Sequence, residues 1–437
     1  IANNTLYENN GVKSRDILVT GNTATDKTMD RVRIVENFCN SNSDIGICVG
    51  DGNTLARDIL ISNNHLHALS NGAATTSANC LRRHAILLSN SGTVATENVE
   101  NRVVVSANHI RYTDATGIYV NDGTSGLPTG PYVINGNFIA DVGFDSAQAQ
   151  RGAICLIGQG QGDVISGNHI ENTQSTTHGI VVTNTNSAAN NAKAVLIAAN
   201  AISNANDAIS LTGNAHNVHV TANDILNSRG GDIRLVLNSG STLDPRVYIR
   251  QNKIYRSNIN AQSILIDVQS SAGAVEVDGN YLMGNIKTTN SVNNTAIYAK
   301  QARVLVTNNF IKNFFFGFTL EPTISARETN MACDFNFFSE IGGTAVDGNR
   351  RASTTTGLVA RGQRYATAHL PDGRPGLQHR PGHRPAGRLG LRHRQRLAQH
   401  GQPVVSRPVV QSSITDPNRA TGPTPARQVT HERPRPL

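Results

Sequence analysis

Residues 164–182 read VISGNHIENTQSTTHGIVV. Val164 and Ile165 open a short apolar strand, Asn168 stands at a turn, and Ile170 returns to the apolar side. A polar stretch runs from Glu171 to His178, and Gly179-Ile180-Val181-Val182 then alternates again. This order of residue types recurs along most of the chain.

The rule is an aliphatic residue, any two residues, Asn, any residue, then an apolar one. Ile61 to Leu66, Val105 to Ile110, Ile134 to Ile139, Ile165 to Ile170 and Ile197 to Ile202 obey it. So do Val220 to Ile225, Ile249 to Ile254, Val277 to Leu282 and Val306 to Ile311. Cys333 to Phe338 is a weaker copy, Val19 to Ala24 and Ile34 to Cys39 are earlier ones, and Ile1 to Leu6 is a partial first copy. From Asn108 to Asn336 eight intervals cover 228 residues, a mean period of 28.5. A fixed period of this size signals a solenoid.

Between successive Asn turns lies a second motif, Gly/Ala-Ile-x-Val-x, as at Gly46-Ile47, Gly117-Ile118, Ala153-Ile154, Gly179-Ile180, Ala208-Ile209, Ala296-Ile297 and Gly317-Phe318. Both motifs alternate with period two, the signature of strand, and no stretch holds a 3.6-residue period with caps. Coiling each unit back on itself stacks the inward aliphatic residues in layers and lets neighbouring coils pair in parallel. The expected fold is all-β: a right-handed parallel β-helix of about a dozen coils over 1–349, followed by an unstructured tail over 350–437. The recurring Asn is expected to adopt the left-handed conformation of a sharp turn and to bond its counterparts in a ladder.

Trp is absent and aromatic content is low, as suits a core of aliphatic slots. No run of 18 apolar residues suggests a membrane helix. The chain starts at Ile1 inside a repeat, so a fragment or processed chain lacking its N-terminal cap is expected. The net charge of +8 comes from the tail. Residues 351–437 hold 15 Arg, no Lys and 3 acidic residues, or +12, whereas 1–350 hold 24 basic and 28 acidic residues, or −4. Nucleic acid is therefore not an expected partner of 1–349. The tail, with 11 of the 15 prolines, admits three readings: a disordered segment, a polyanion-binding arm, or an out-of-frame translation. Of five cysteines none forms CxxC. Cys333 sits at an inward slot, and Cys39 and Cys48 are a candidate pair in an oxidising compartment.

Gly-Ile-x-Val alternating with Val-x-x-Asn-x-Ile resembles the right-handed parallel β-helix repeats of the pectate-lyase-like superfamily, over about 1–349. Those relatives include polysaccharide lyases, polygalacturonase-type hydrolases, alginate epimerases and phage tailspikes. The resemblance implies an extracellular, cell-surface or virion-borne protein that handles acidic or complex polysaccharide, and it allows a homotrimer. The catalytic motifs of the group do not carry over: Asn-Thr-Asp, Asp-Asp, Gly-His-Gly, Arg-Ile-Lys and Asp-Pro-His-Asp are all missing from the chain.

In such folds the Gly-Ile-x-Val face often forms the sugar groove. Its outward positions in the later coils hold Arg234, Asp267, Tyr298, Lys300 and Glu321. Asp267 and Glu321, two coils apart, are candidate catalytic carboxylates at the upper edge of an inverting glycosidase's spacing. Lys300 between them is a third candidate, as a cation for an anionic sugar, and in a lyase Lys300 or Arg234 would be the base beside a uronate-neutralising cation. Arg234 and Tyr298 are candidate substrate-binding residues. A second set joins Tyr119, Asn121 and Asp122 to the acids Asp141 and Asp145, where Tyr119 would stack on a sugar ring. No cofactor is expected, and Ca²⁺ at these acids is the one metal alternative. His178, before a strand, reads as a structural polar residue. The expected function is polysaccharide binding and degradation. The competing class is a non-catalytic adhesive solenoid.

Overall fold

A computed structural model gives the fold. It describes residues 1–348 apart from 8–14, 21–27, 41–44, 51–54, 70–83, 90–101, 122–130, 144–151, 158–161, 172, 174–175, 185–193, 214–216, 238–245, 258–260, 269–273, 286–290, 292, 301–302 and 322–330. Beyond 348 it describes only Arg364–Tyr365.

The described residues form strands and turns without a helix. Each coil contributes one strand to each of three parallel sheets of 11, 13 and 12 strands, here sheets 1, 2 and 3. In one coil Asp163–Ser166 lies in sheet 1, His169–Glu171 in sheet 2 and His178–Asn184 in sheet 3. The chain is thus a parallel β-helix of the expected number of coils. A short extra pair, Thr28–Asp30 with Leu55–Arg57, lies outside the three sheets.

Inward side chains stack by register. In sheet 3, Ile47, Ile86, Ile118, Ile154, Ile180, Ile209, Ile233, Ile264 and Ile297 follow one another, all fully buried. Cys333 joins this core. The Gly/Ala before the inward Ile has a steric cause. A Cβ on Gly179 would stand 2.5 Å from the Ala208 carbonyl oxygen, and one on Gly317 would stand 2.5 Å from that of Ala345.

The asparagine ladder is continuous. Twelve residues take part: Asn4, 37, 64, 108, 137, 168, 200, 223, 252, 280, 309 and 336. Each Nδ2 donates to the Oδ1 of the next coil's Asn at 2.9–3.0 Å. That Oδ1 also accepts the backbone N–H of the preceding Asn, as from Asn168 to Asn200 at 3.0 Å. The second Nδ2 hydrogen goes to a carbonyl one coil back, as from Asn200 to Ile165 at 3.0 Å. Amides this buried must be satisfied, and these are.

Two expectations need correction. The left-handed residue is not the ladder Asn but the one before it, in all twelve coils: Asn3, Glu36, Asn63, Ala107, Gly136, Gly167, Ala199, Ala222, Gln251, Gly279, Asn308 and Phe335, with φ of 54–64°. Nine of these are not Gly, so the ladder holds side-chain-bearing residues in a conformation costing about 1–2 kcal/mol each. Val19 to Ala24 is not a copy of the Asn repeat. Arg15–Val19 pairs with Ile45–Val49 in sheet 3, and Asn4 bonds Asn37 directly.

Cys39 and Cys48 do not pair. Cys39 points into the core from sheet 2, while Cys48 occupies an outward position of sheet 3, beside Leu87 and Tyr119. Burial, then the nearby Asp16 carboxylate, pushes the Cys39 thiol up to about 12, and burial does the same to Cys155. Both are inert thiols at neutral pH.

Contacts gather Ile1–Leu370 into one unit and Pro371–Leu437 into another, the latter wholly outside the described residues. Within the tail, Arg364–Tyr365 pairs with Phe337–Ser339 in sheet 2. The readings of the rest of the tail concern residues outside the description. No helix among the described residues is long and apolar enough to cross a membrane.

Candidate functional site

The outward face of sheet 3 changes character along the coils. In the early coils the first outward column runs Leu18, Cys48, Leu87, Tyr119, Cys155 and Val181; Leu18 is exposed, Tyr119 is half-buried and the other four are buried. In the later coils the same column runs Ser210, Arg234, Leu265, Tyr298, Thr319. The second column, two residues on, runs Thr212, Val236, Asp267, Lys300, Glu321. The expected cluster therefore sits on successive strands of one face. Asp267 and Glu321 flank Lys300 in register, with backbones roughly 9–10 Å apart.

The side chains are less tightly gathered than the register. Asp267 is half-buried, and its side chain makes no hydrogen bond or ion pair among the described residues. The Lys300 ammonium lies 5.6 Å from the centre of the Tyr298 ring, a cation–π distance. Tyr298 is only 7 % exposed, which leaves little of its ring for a sugar. The Glu321 side chain lies outside the described residues.

Of the second set, Asp141 stands on a different sheet from Tyr119 and Asn121. Asp122 and Asp145 lie outside the described residues. Asn121 is half-buried on sheet 3. Tyr119 stacks on His84, with centroids 4.6 Å apart and planes at 9°. Asp141 belongs to sheet 2, where it pairs with Arg111 at 2.7 Å. No group of three or more His, Cys, Asp or Glu among the described residues is placed to hold a metal.

A tighter constellation lies at the corner between sheets 2 and 3. His178 begins its strand with Nδ1 3.2 Å from Oδ2 of Asp207, one coil away. Arg234 brings a guanidinium nitrogen to 3.8 Å from the same oxygen. The other oxygen, Oδ1, accepts the Gly231 N–H at 2.7 Å. The Asp207 side chain is 7 % exposed, His178 24 % and Arg234 49 %, so the pair sits under a half-open cation. Burial alone would raise the Asp207 carboxyl. The bond to His178, the Gly231 N–H and Arg234 outweigh it and hold the group below its ordinary value.

Behind this pair stands a buried polar layer. Asp232 occupies the slot that Gly or Ala fills in other coils, and Ser263 fills it in the next. Ser263 donates to Asp232 at 2.6 Å. Arg256, 4 % exposed, donates to the Gly230 carbonyl at 3.0 Å, and Arg229 donates to that of Thr173 at 2.6 Å. Burial pushes the Asp232 carboxyl up, against Arg256 and the serine hydroxyls. It pushes the Arg256 guanidinium down, against Asp232. This layer pins the Arg229–Asp232 turn that presents the Gly231 N–H. A Cβ at Gly230 would stand 2.6 Å from Asp207 Oδ1, so a larger residue there would displace that carboxylate.

Sequence reasoning missed Asp207 and read His178 as structural. The available signal was the break in the Gly/Ala-Ile motif at Asp232-Ile233 and Ser263-Ile264.

Sheet 2 carries a further row. Phe38, His65, His109, Phe138 and His169 stack outward on consecutive coils, with centroids 4.7–6.1 Å apart. Each inner ring has both faces covered by its neighbours, so only edges meet solvent. A sugar stacks on a ring face, and this row offers few.

Comparison with protein families, curated proteins and solved structures finds no match.

Proposed function

We propose that this chain binds an acidic polysaccharide across the later coils of sheet 3 and depolymerises it there, as a secreted or virion-borne β-helix of the pectate-lyase-like kind. One observation carries the reading. The first outward column is mostly apolar and buried as far as Val181, whereas from His178 onward the coils carry a held His–Asp pair, Arg234, Asp267 and Lys300 at or beside sheet 3. A carboxylated sugar chain needs cations to bind it and a proton-transfer group to cleave it, and both stand on this face. The resemblance of the repeat to polysaccharide-active β-helices supports the same class.

The test is a product screen of the full chain against acidic and neutral polysaccharides. It follows new reducing ends together with absorbance from unsaturated uronates. Reducing ends on at least one acidic polymer are expected. A folded sample that yields none on any polymer turns the reading into its alternative, an adhesive solenoid that binds without turnover. The column Asp267, Lys300, Glu321 favours that alternative, because alternating charges on successive strands also suit ion-pair or ligand contacts without turnover.

A further inference from the structure

We propose that the outward face of sheet 2 carries an oxyanion site, built by His65, His67, His109 and Arg111, that takes a phosphate- or sulfate-type group in mildly acidic solution. The site lies on a different sheet from the polysaccharide face, and neither reading depends on the other.

The repeat sets the corners of a square. His65 and His67 point outward on His65–Leu69, with Leu66 buried between them. His109 and Arg111 do the same on His109–Thr113, about the buried Ile110. Register places His109 beside His65 and Arg111 beside His67. The four backbone positions therefore stand about 4.8 Å apart between strands and about 6.6 Å apart along them.

The imidazoles present their edges. His109 is stacked between His65 at 4.9 Å and Phe138 at 4.7 Å. A ring covered on both faces meets solvent by its edge, which carries the nitrogens. His67 packs edge to face against Tyr112 at 5.2 Å. Arg111 lies over the same tyrosine at 5.0 Å and bonds Asp141 at 2.7 Å. Its Nε–H is enclosed and has no acceptor among the described residues. A donor left so is a standing cost. The Arg111 side chain is 34 % exposed, which leaves it room to turn that donor toward a ligand. Donors at four corners suit a tetrahedral group, with an oxygen for each, better than a planar carboxylate with two.

Protonation and binding are coupled. Burial, then the charges of His65, Arg111 and His67, hold His109 below its ordinary value. Charging the stacked His65 and His109 together sets two like charges 4.9 Å apart, which is unfavourable unless an anion joins them. The described carboxylates around the square are few. Asp141 is on Arg111, and Glu171, two coils on, is 3.2 Å from His169. Asp114 is buried in the turn after Thr113, and Glu36 stands at the corner one coil before His65. The flanking strands add Phe38, Asn40, Phe138 and Ala140, none of them charged. The acid form of the square thus carries more positive charge than its neighbours offset. A bound dianion holds protons on the histidines, and those protons strengthen its binding in equal measure.

The test is nuclear magnetic resonance of the full chain, labelled in its histidine rings and titrated over about pH 5–8. Inorganic sulfate is the probe, because it stays doubly charged over this range. Sodium chloride of equal ionic strength is the reference. The readout is residue by residue, so sulfate held by the Arg-rich tail does not enter it. Sulfate should raise the midpoints of His65, His67 and His109 by roughly half a unit, about a threefold gain in proton affinity. His219, on sheet 1, should stay where chloride leaves it. Arg111→Gln/Asp141→Asn removes the guanidinium and its partner together and should abolish most of the rise. Melting curves establish that this variant is folded, and His67→Gln, read at His65 and His109, replaces it if it is not. Inorganic phosphate and glycerol phosphate then separate two sources of the group. A larger rise with glycerol phosphate assigns the site to a phosphate ester, an equal rise to the free ion. Equal midpoints in sulfate and chloride overturn the proposal. So does an equal rise at His219, which is screening, or a rise that survives in the folded variant.

Discussion

Two corners of the same coils are built on opposite principles. Between sheets 1 and 2 every coil carries the same residue, an Asn whose amide bonds the coil before and the coil after. Between sheets 2 and 3 the position two before the inward Ile holds His84, Thr116, Gly152, His178, Asp207, Gly231, Gln262 and Thr295 in turn. The first corner is fixed because each amide needs an identical neighbour. A different side chain there would orphan buried groups on two coils at once. At the second corner backbone bonds join the coils, as from Gly179 to Asp207 and from Ala208 to Gly231, and no side chain repeats from coil to coil. Its side chains are therefore released from repetition, and one stretch of them has become a charged constellation.

Breaking the uniform corner should have the largest effect. Asn200→Leu removes the acceptor of two Asn168 donors and one donor to Asn223. With orphaned groups at about 1–3 kcal/mol each, a loss of about 3–6 kcal/mol is expected in urea unfolding of the full chain. A loss below about 1 kcal/mol would mean the ladder is ornamental.

The variable corner should respond through charge. Asp232→Ala leaves Arg256 buried without its counter-ion and should cost about 3–5 kcal/mol by the same measurement. The double change Asp232→Leu with Arg256→Met should recover most of that, since apolar pairs often replace buried ion pairs without loss. Asp207→Asn should cost less, about 1.5–3 kcal/mol at neutral pH. Its sign with pH follows from the lowered native value of Asp207. The carboxylate's contribution is complete above the unfolded pKa of about 3.9 and is lost as pH falls through the lower native one. The melting-temperature gap between wild type and Asp207→Asn should therefore close on acidification below about pH 4. A gap that persists unchanged would assign the stabilisation to shape alone.

The smallest effect sharpens the uniform corner. Ala199 holds φ 54° before Asn200. Ala199→Gly should stabilise by about 0.5–1 kcal/mol, the left-handed strain exceeding the entropy of glycine. The reverse change, Gly136→Ala, meets nothing within 4 Å and should cost about as much through φ alone.

Much of the fold was legible in the sequence because the repeat enforces itself. Aliphatic slots and ladder asparagines recur in the linear order, so strands, sheets and outward columns could be read by counting. The left-handed position was not legible, since Glu36, Gln251 and Phe335 have no preference for it, and the ladder overrides their own. Val19 to Ala24 misled because Ile17 and Val19 belong to a sheet 3 strand whose alternation matches that of sheet 1. The column of Asp267, Lys300 and Glu321 followed from counting. The His178–Asp207 pair did not, because it joins residues 29 apart across a corner whose side chains obey no repeat. Composition says nothing of such a contact. Only the intrusion of Asp232 and Ser263 into slots for Gly or Ala marked the place. Exposure was equally hidden, and Tyr298, outward by count, is nearly covered.

The central claim is that the later coils of sheet 3 form the polysaccharide face. The direct measurement is retardation of the full chain in gels containing polygalacturonate, alginate or hyaluronan. Wild type is compared with Arg234→Ala/Lys300→Ala and with the control Leu305→Ser, on the outward side of sheet 1. The Arg-rich tail is common to all three proteins, so its attraction to polyanions cancels. The account predicts that the double variant loses most of the retardation that wild type and control share. Equal retardation of all three would contradict it and would move the binding, if any, to another part of the chain.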